Sequence, residues 1–183
     1  MEKSYKEILP QITTFIFDVD GVLTDGILNV MTNGELIRHM NVKDGFALKT
    51  AVDKGYHVAI ISGGSSEGVK KRLNGLGITD VYLRTHNKIE KFHEYCELRQ
   101  VKPENILYMG DDLPDAEVMS TVALACAPQD ADSEIQKIAH YISHKKGGKG
   151  CARDVIEQVL RVQGKWIEES YTTIVNQNDN TST

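Results

Sequence analysis

Four short apolar runs, each halted by a turn-forming or acidic residue, constrain this chain more than anything else in it. Thr13–Phe17 stops at Asp18, His57–Ile61 at Ser62-Gly63-Gly64, Asn105–Met109 at Gly110-Asp111-Asp112, and Val122–Cys126 just ahead of Pro128. Runs this short, with apolar side chains on successive positions, read as strands buried on both faces. The stretches between them carry helical spacing. Val69, Leu73 and Leu76 recur at i, i+4 and i+7 and are followed by Gly77. Ile89, Phe92 and Cys96 repeat the pattern ahead of Pro103. Val155, Ile156, Val159 and Leu160 form a last amphipathic stretch that ends near Gly164. Strands alternating with helices predict βαβ units, and hence an α/β three-layer sandwich around a mostly parallel sheet.

One segment breaks the alternation. Ile27–Met31 and Glu35–Val42 flank Thr32-Asn33-Gly34, and Asn-Gly is a strong hairpin signal. A β-hairpin over about 27–42 is expected to project after the first strand. Two strands alone are marginal in water, so it should pack on the body or on another subunit.

At 183 residues the chain makes one domain, expected over 1–166, followed by a polar tail over 167–183 that is expected to be mobile when free. The formal net charge of −5 argues against a general nucleic-acid binder. No apolar run reaches membrane-spanning length, and the first residues lack the order of a secretion signal. Cys96, Cys126 and Cys151 lie far apart and in no CxxC pair, which disfavours a disulfide scaffold or zinc site and fits a cytoplasmic protein.

In an open α/β sheet, ligands bind along the edge where the strands end. The first strand delivers Asp18 and Asp20 there, the second delivers Ser62, and a later one delivers Asp111, Asp112 and, one turn on, Asp115. Lys88 opens the helix after Val81-Tyr82-Leu83. Clustered carboxylates raise one another's pKa unless a cation joins them. A carboxylate set without His or Cys suits Mg²⁺, which bridges readily to phosphate. The hydroxyl and the ammonium group could then hold the remaining phosphoryl oxygens, which points to phosphoryl transfer. Gly21 permits a tight turn after Asp18, and Gly63 and Gly64 let backbone N–H groups approach an anion. The six histidines form no metal spacing.

Asp18-Val19-Asp20-Gly21-Val22-Leu23-Thr24 resembles the nucleophile loop of the haloacid dehalogenase superfamily of phosphatases. Ser62, Lys88 and Gly110-Asp111-Asp112-Leu113-Pro114-Asp115 resemble its second, third and fourth motifs, in the family's order. Asn41-Val42-Lys43-Asp44-Gly45 and Gly147-Gly148-Lys149-Gly150-Cys151-Ala152-Arg153-Asp154 are similar to segments of the phosphatases acting on 3-deoxy-D-manno-octulosonate 8-phosphate. The resemblance covers about residues 12–165. It implies a Rossmann-like, capless enzyme that assembles as a homotetramer through its hairpins and makes a lipopolysaccharide precursor from a small phosphorylated sugar acid.

The same resemblance implies roles. Asp18 becomes the nucleophile that forms an aspartyl-phosphate, and Asp20 the acid/base, with its main-chain carbonyl on the metal. Asp18 and Asp111 supply metal-binding carboxylates. Ser62 and Lys88 hold the phosphoryl group, while Asp112 and Asp115 bind metal waters or orient Lys88. Each has a plainer alternative as a turn, cap or solvated residue. The Gly147–Gly150 run resembles a phosphate cradle but lacks the GxxxxGK[ST] pattern. Lys149 and Arg153 could reach the substrate carboxylate, an adjoining subunit, or only a structural ion pair.

Relatives usually carry Arg where Gly64 stands, Glu at Asp154 and Ala at Cys151. The first difference opens the question of which basic residue meets a keto-acid carboxylate; Lys70, Arg72, Arg84, Lys149 and Arg153 are the candidates. It also keeps phosphatases of nine-carbon keto sugar acid 9-phosphates as an alternative. A phosphoacceptor receiver domain uses similar groups, but there the acidic pair comes first, whereas here the DxD pair leads and GDDxxD comes late.

Overall fold

The computed structural model describes residues 4–166; the tail expected at 167–183 lies outside the described residues. In chain order the elements are α1 (Tyr5–Ile8), β1 (Thr14–Phe17), β2 (Asn29–Val30), β3 (Leu36–Ile37), α2 (Val42–Asp53), β4 (His57–Ile61), α3 (Glu67–Asn74), β5 (Asp80–Tyr82), α4 (Lys88–Arg99), β6 (Ile106–Met109), α5 (Ala116–Met119), β7 (Leu124–Ala127), α6 (Ser133–Ile138), β8 (Tyr141–Ile142) and α7 (Cys151–Val162). Six strands form one sheet in the order β5-β4-β1-β6-β7-β8, and every pairing in it is parallel.

The central strands are apolar throughout because both faces are covered. Phe15, Phe17, Leu107 and Met109 meet Leu48, Val155 and Val159 on one side. Ile16, Ala59, Ile61 and Tyr108 meet Phe92, Tyr95 and Val118 on the other. Burying each large apolar side chain stabilises the fold by roughly 1.5–3 kcal/mol. The chain runs outward from β1 through β4 to β5, then returns to place β6 on the other side of β1. That reversal opens a crevice at the C-terminal ends of β1 and β6, directly above Asp18 and Asp111.

The hairpin is present but shorter than the sequence pattern suggests. Only Asn29–Val30 and Leu36–Ile37 pair, as a separate two-stranded antiparallel sheet. Gly34, at φ +84°, closes the turn, with its N–H donating to the Met31 carbonyl at 2.9 Å. Val42 leaves the expected second arm because Asn41 caps α2, its side chain accepting from the Lys43 N–H at 2.8 Å. Strand β7 also begins two residues late: Ala123 donates to the Pro103 carbonyl, ahead of β6, and the ladder starts at Leu124.

The two outlying sequence motifs meet in space. Gly150, at the start of α7, has no side chain to cap that helix. Buried Asp44 of α2 does so from outside, accepting from the Gly150 N–H at 3.2 Å and the Arg153 N–H at 2.7 Å. Asn41 donates to the Gly148 carbonyl at 3.2 Å. An acid at a helix N-terminus satisfies orphan donors and complements the helix dipole. Burial raises the pKa of Asp44, and the two backbone donors oppose that rise.

Candidate active site

The loop after β1 is held by its own polar groups. Asp18 accepts from the following Val19 N–H at 2.6 Å, and Gly21 turns the chain at φ +89°. Thr24 returns an N–H to the Val19 carbonyl at 3.0 Å, and its hydroxyl accepts from the Gly21 and Gly26 N–H groups. This local network turns the loop back beneath the sheet edge and leaves Asp18 in the crevice.

Lys88 is the hub of the site. Its ammonium lies 2.8 Å from Asp18 Oδ2 and 2.7 Å from Asp115 Oδ1, and all three residues are buried. A cation at the first position of α4 opposes the helix dipole, so these ion pairs must outweigh that penalty. Burial alone would lower the Lys88 pKa; Asp18 and Asp115 together hold it above its ordinary value.

Asp115 accepts four hydrogen bonds. Lys88 and the Tyr108 hydroxyl donate to Oδ1, and the Asp111 and Asp112 N–H groups donate to Oδ2. Its contact with Lys88 is direct, at 2.7 Å. Asp112 accepts from the Leu113 N–H at 2.8 Å and caps the turn that carries Asp115.

Asp18, Asp111 and Asp115 each present an oxygen within 4.8 Å of the others. Three carboxylates thus crowd one ammonium, which contacts two of them, Asp18 and Asp115. Burial, then the Asp115 charge, raises the Asp18 pKa despite Lys88. Burial, then Asp18 and Asp115, pushes Asp111 up to about 8. Asp111 Oδ1 is buried with no hydrogen-bond partner among the described residues. Gly21 leaves the space that Asp111 needs, since a Cβ there would fall 1.9 Å from Asp111 Oδ2. An unpartnered buried carboxylate oxygen facing further oxygen donors is what a small hard cation would satisfy, and these residues fit magnesium.

Ser62 follows β4 and is buried. The capping role open to it falls to Ser66, whose hydroxyl accepts from the Val69 N–H at 3.3 Å, while Ser62 Oγ accepts from the Gly64 N–H at 3.4 Å at the edge of the cleft. A cleft of about 320 Å³ brings together Asp18, Asp20, Ser62, Gly63, Gly64, Lys88, Asp111, Asp112 and Asp115, with Thr85 and His86 at its wall.

Lys149 and Arg153 do not reach this cleft. Lys149 pairs with Asp25 at 3.2 Å. Arg153 bonds Glu157 at 3.1 Å and lies over the Phe46 and Trp166 rings. The Gly147–Gly150 run is likewise no anion cradle within this chain. The Gly147 N–H donates to Asp130 at 2.9 Å, the Gly148 N–H to the Val22 carbonyl at 2.8 Å and the Gly150 N–H to Asp44. Of these amides the Gly148 N–H backs the Asp18 loop, and the other two are held by Asp130 and Asp44.

Sequence reasoning missed Arg38. This hairpin residue reaches Asp20 with Nε at 2.6 Å and Nη2 at 2.9 Å. A basic residue set among Leu36, Ile37 and Met40 on a short apolar hairpin was the available signal.

Comparison with known proteins agrees with this geometry. Residues 74–153 match the model of the haloacid dehalogenase-like hydrolases. The 3-deoxy-D-manno-octulosonate 8-phosphate phosphatase of Salmonella typhi is 40% identical over 154 residues, which cover 84% of this chain and 82% of that protein. The crystal structure of the phosphatase of that name from Yersinia pestis superposes with a TM-score of 0.87 at 35% identity, covering 91% of this chain and 90% of that one. Its Moraxella catarrhalis counterpart, solved with magnesium, phosphate and the free sugar acid, superposes at 0.86 with 26% identity, covering 93% and 97%.

Proposed function

This chain belongs to the haloacid dehalogenase-like hydrolases, within the 3-deoxy-D-manno-octulosonate 8-phosphate phosphatase family, and from that premise we propose that it releases phosphate from this eight-carbon sugar acid. It is a phosphatase, and its cofactor is Mg²⁺. The observation that carries the reading is the buried Asp18–Lys88–Asp115 chain beside the unpartnered oxygen of Asp111.

In this reading the Asp18 carboxylate attacks phosphorus and the bond to the sugar oxygen breaks. Asp20 gives that departing oxygen a proton. Asp20 then takes a proton from the water that attacks the aspartyl-phosphate, which frees phosphate and restores Asp18. Lys88 and the Ser62 hydroxyl hold phosphoryl oxygens, and the Gly63 and Gly64 N–H groups line their approach. Asp18, Asp111 and the Asp20 main-chain carbonyl would hold magnesium, which neutralises phosphoryl charge when bound. Asp115 keeps Lys88 in place.

The chain assembles as a homotetramer through its hairpins. Supporting this, Ile27 is 64% and Val30 73% exposed on a two-stranded unit too small to stand alone. Lys149 and Arg153, near the surface of each chain, would then face a neighbour. A cytoplasmic location is supported by Cys96, Cys126 and Cys151 all standing as free thiols.

The test is phosphate release from 3-deoxy-D-manno-octulosonate 8-phosphate by the purified protein, with magnesium and with excess chelator. Magnesium-dependent release is expected, with a higher kcat/KM than for a nine-carbon keto sugar acid 9-phosphate. Full turnover in chelator, or a preference for the nine-carbon substrate, counts against it.

A further inference from the structure

Asp20 projects into the cleft from a loop whose other polar groups are bonded among themselves. Among the described residues its carboxylate has one partner, Arg38, bound through both oxygens at 2.6 and 2.9 Å. A planar fork fixes orientation as well as position, which a single ammonium contact does not. The guanidinium is itself anchored, donating from Nη1 to the Leu36 carbonyl at 3.3 Å and the Ser65 carbonyl at 3.5 Å. The Arg38 side chain is only 4% exposed, against 31% for Asp20. The base of the pair is buried and the acid is left facing the cleft.

Gly64 completes the arrangement. A Cβ at that position would fall 2.6 Å from Asp20 Oδ2 and 2.9 Å from Arg38 Nη2. A side chain at 64 would press on the far ends of both Asp20 and Arg38, so the fork in its present geometry requires bare backbone there.

We propose that Arg38 is the positioning residue of the proton donor: Nε keeps hold of Asp20 Oδ1 while Oδ2, the cleft-side oxygen beside Gly64, takes up the proton and delivers it to the leaving oxygen, and Gly64 is kept bare to admit the pair. This rests on the reading of the site as a phosphatase with Asp20 as its acid. Arg38 comes from the short hairpin, so the placement of Asp20 depends on where the hairpin docks, although the hairpin never enters the cleft by itself.

The experiment is kcat/KM for Arg38→Ala, Arg38→Lys and Gly64→Ala on three magnesium-supported substrates. These are the sugar-acid phosphate, a simple sugar phosphate without a carboxylate, and p-nitrophenyl phosphate, whose leaving group departs without a proton. Because kcat/KM reports the step that forms the aspartyl-phosphate, a misplaced acid slows only esters that need protonation. The expected loss is about 10–100-fold on both sugar phosphates, below the roughly 10²–10⁴-fold of general acid catalysis because Asp20 is misplaced and not removed. On the aryl ester it is several-fold or less. Arg38→Lys, with charge but no fork, should fall between wild type and alanine, and Gly64→Ala should show the same leaving-group split with Arg38 intact. Thermal melts confirm that the variants are folded. Loss confined to the sugar-acid phosphate and carried by KM would make Arg38 a carboxylate-binding residue and overturn the proposal. Equal loss on all three substrates would reduce it to a structural tie, and no loss would dismiss it. A wild-type protein inactive on all three would defeat the phosphatase reading itself, an outcome separate from any behaviour of the variants.

Discussion

Gly147 lies directly against Gly21: a Cβ on Gly147 would fall 1.9 Å from the Gly21 carbonyl oxygen. The glycine run before α7 is therefore a packing surface for the loop that carries Asp18 and Asp20. The obstructing atom is backbone, so it cannot swing aside. Gly147→Ala is expected to cost about 1–3 kcal/mol of stability, as overpacking does, and to lower kcat by displacing the Asp18 loop. Gly68→Ala in α3 is the contrast, because its Cβ would meet nothing closer than 3.7 Å. It should be neutral or stabilise by up to about 1 kcal/mol. Urea unfolding of both variants checks the pair, and equal destabilisation would refute the packing argument.

The Asp18–Lys88 pair gives a second contrast. Asp18→Asn removes the proposed nucleophile and one of three crowded carboxylates. Turnover should fall by at least about 10⁴-fold. The melting temperature should hold or rise, because burial and Asp115 already raise the Asp18 pKa and make its charge costly. Lys88→Met removes the ammonium instead and leaves buried charges unpaired, a loss of roughly 3–5 kcal/mol. Magnesium should recover part of it. Melting curves and phosphate assays on the two variants decide this, and a destabilised Asp18→Asn beside a stable Lys88→Met would contradict it.

Asp18, Ser62 and Asp111 were readable from sequence because each sits just beyond the point where an apolar strand run stops. Asp18, Ser62 and Asp111 needed only the parallel sheet to bring them together. Arg38 was not readable in that way. It meets Asp20 across 18 residues and Ser65 across 27, and only the docking of the hairpin decides those contacts. Asp44 looked like part of a local motif, yet its work is to cap a helix more than a hundred residues on. Lys149 and Arg153 had the right charge for a substrate, but they pair with Asp25 and Glu157, neither of which lines the cleft. Residue type showed the chemistry of the cleft edge, whereas long-range pairing of exposed basic residues carried no periodic signal.

Asp111 makes stability depend on pH in a defined direction. Its pKa is pushed up to about 8 in the folded chain, against roughly 4 for an ordinary aspartate. Between those values the folded state holds a proton that the unfolded state has released. Stability of the metal-free protein therefore falls as pH rises through that window. Magnesium needs the ionised carboxylate, so its affinity should rise by up to about tenfold per pH unit and level off above about 8. Melting curves at pH 6, 7 and 8, with magnesium or with chelator, should show a gap that widens with pH. A constant or narrowing gap would set Asp111 aside as the controlling ligand.

The hairpin supplies the last prediction. Its paired strands are two residues each, and Ile27, Val30 and Met31 stand exposed beside them. A two-stranded unit gains little from its own hydrogen bonds, so it needs an apolar surface to lie on. Light scattering of the intact protein at micromolar concentration should give the mass of four chains. Val30→Asp sets a charge at the most exposed of these positions and should reduce that mass, because an unpaired charge cannot be desolvated cheaply. If the Arg38 fork depends on a docked hairpin, the same variant should lose activity on sugar phosphates more than on p-nitrophenyl phosphate, although Val30 is no part of the cleft. A single-chain mass for the wild type would refute assembly through the hairpin. A dissociated Val30→Asp protein with the wild-type preference among substrates would show that Asp20 is held without help from neighbouring chains.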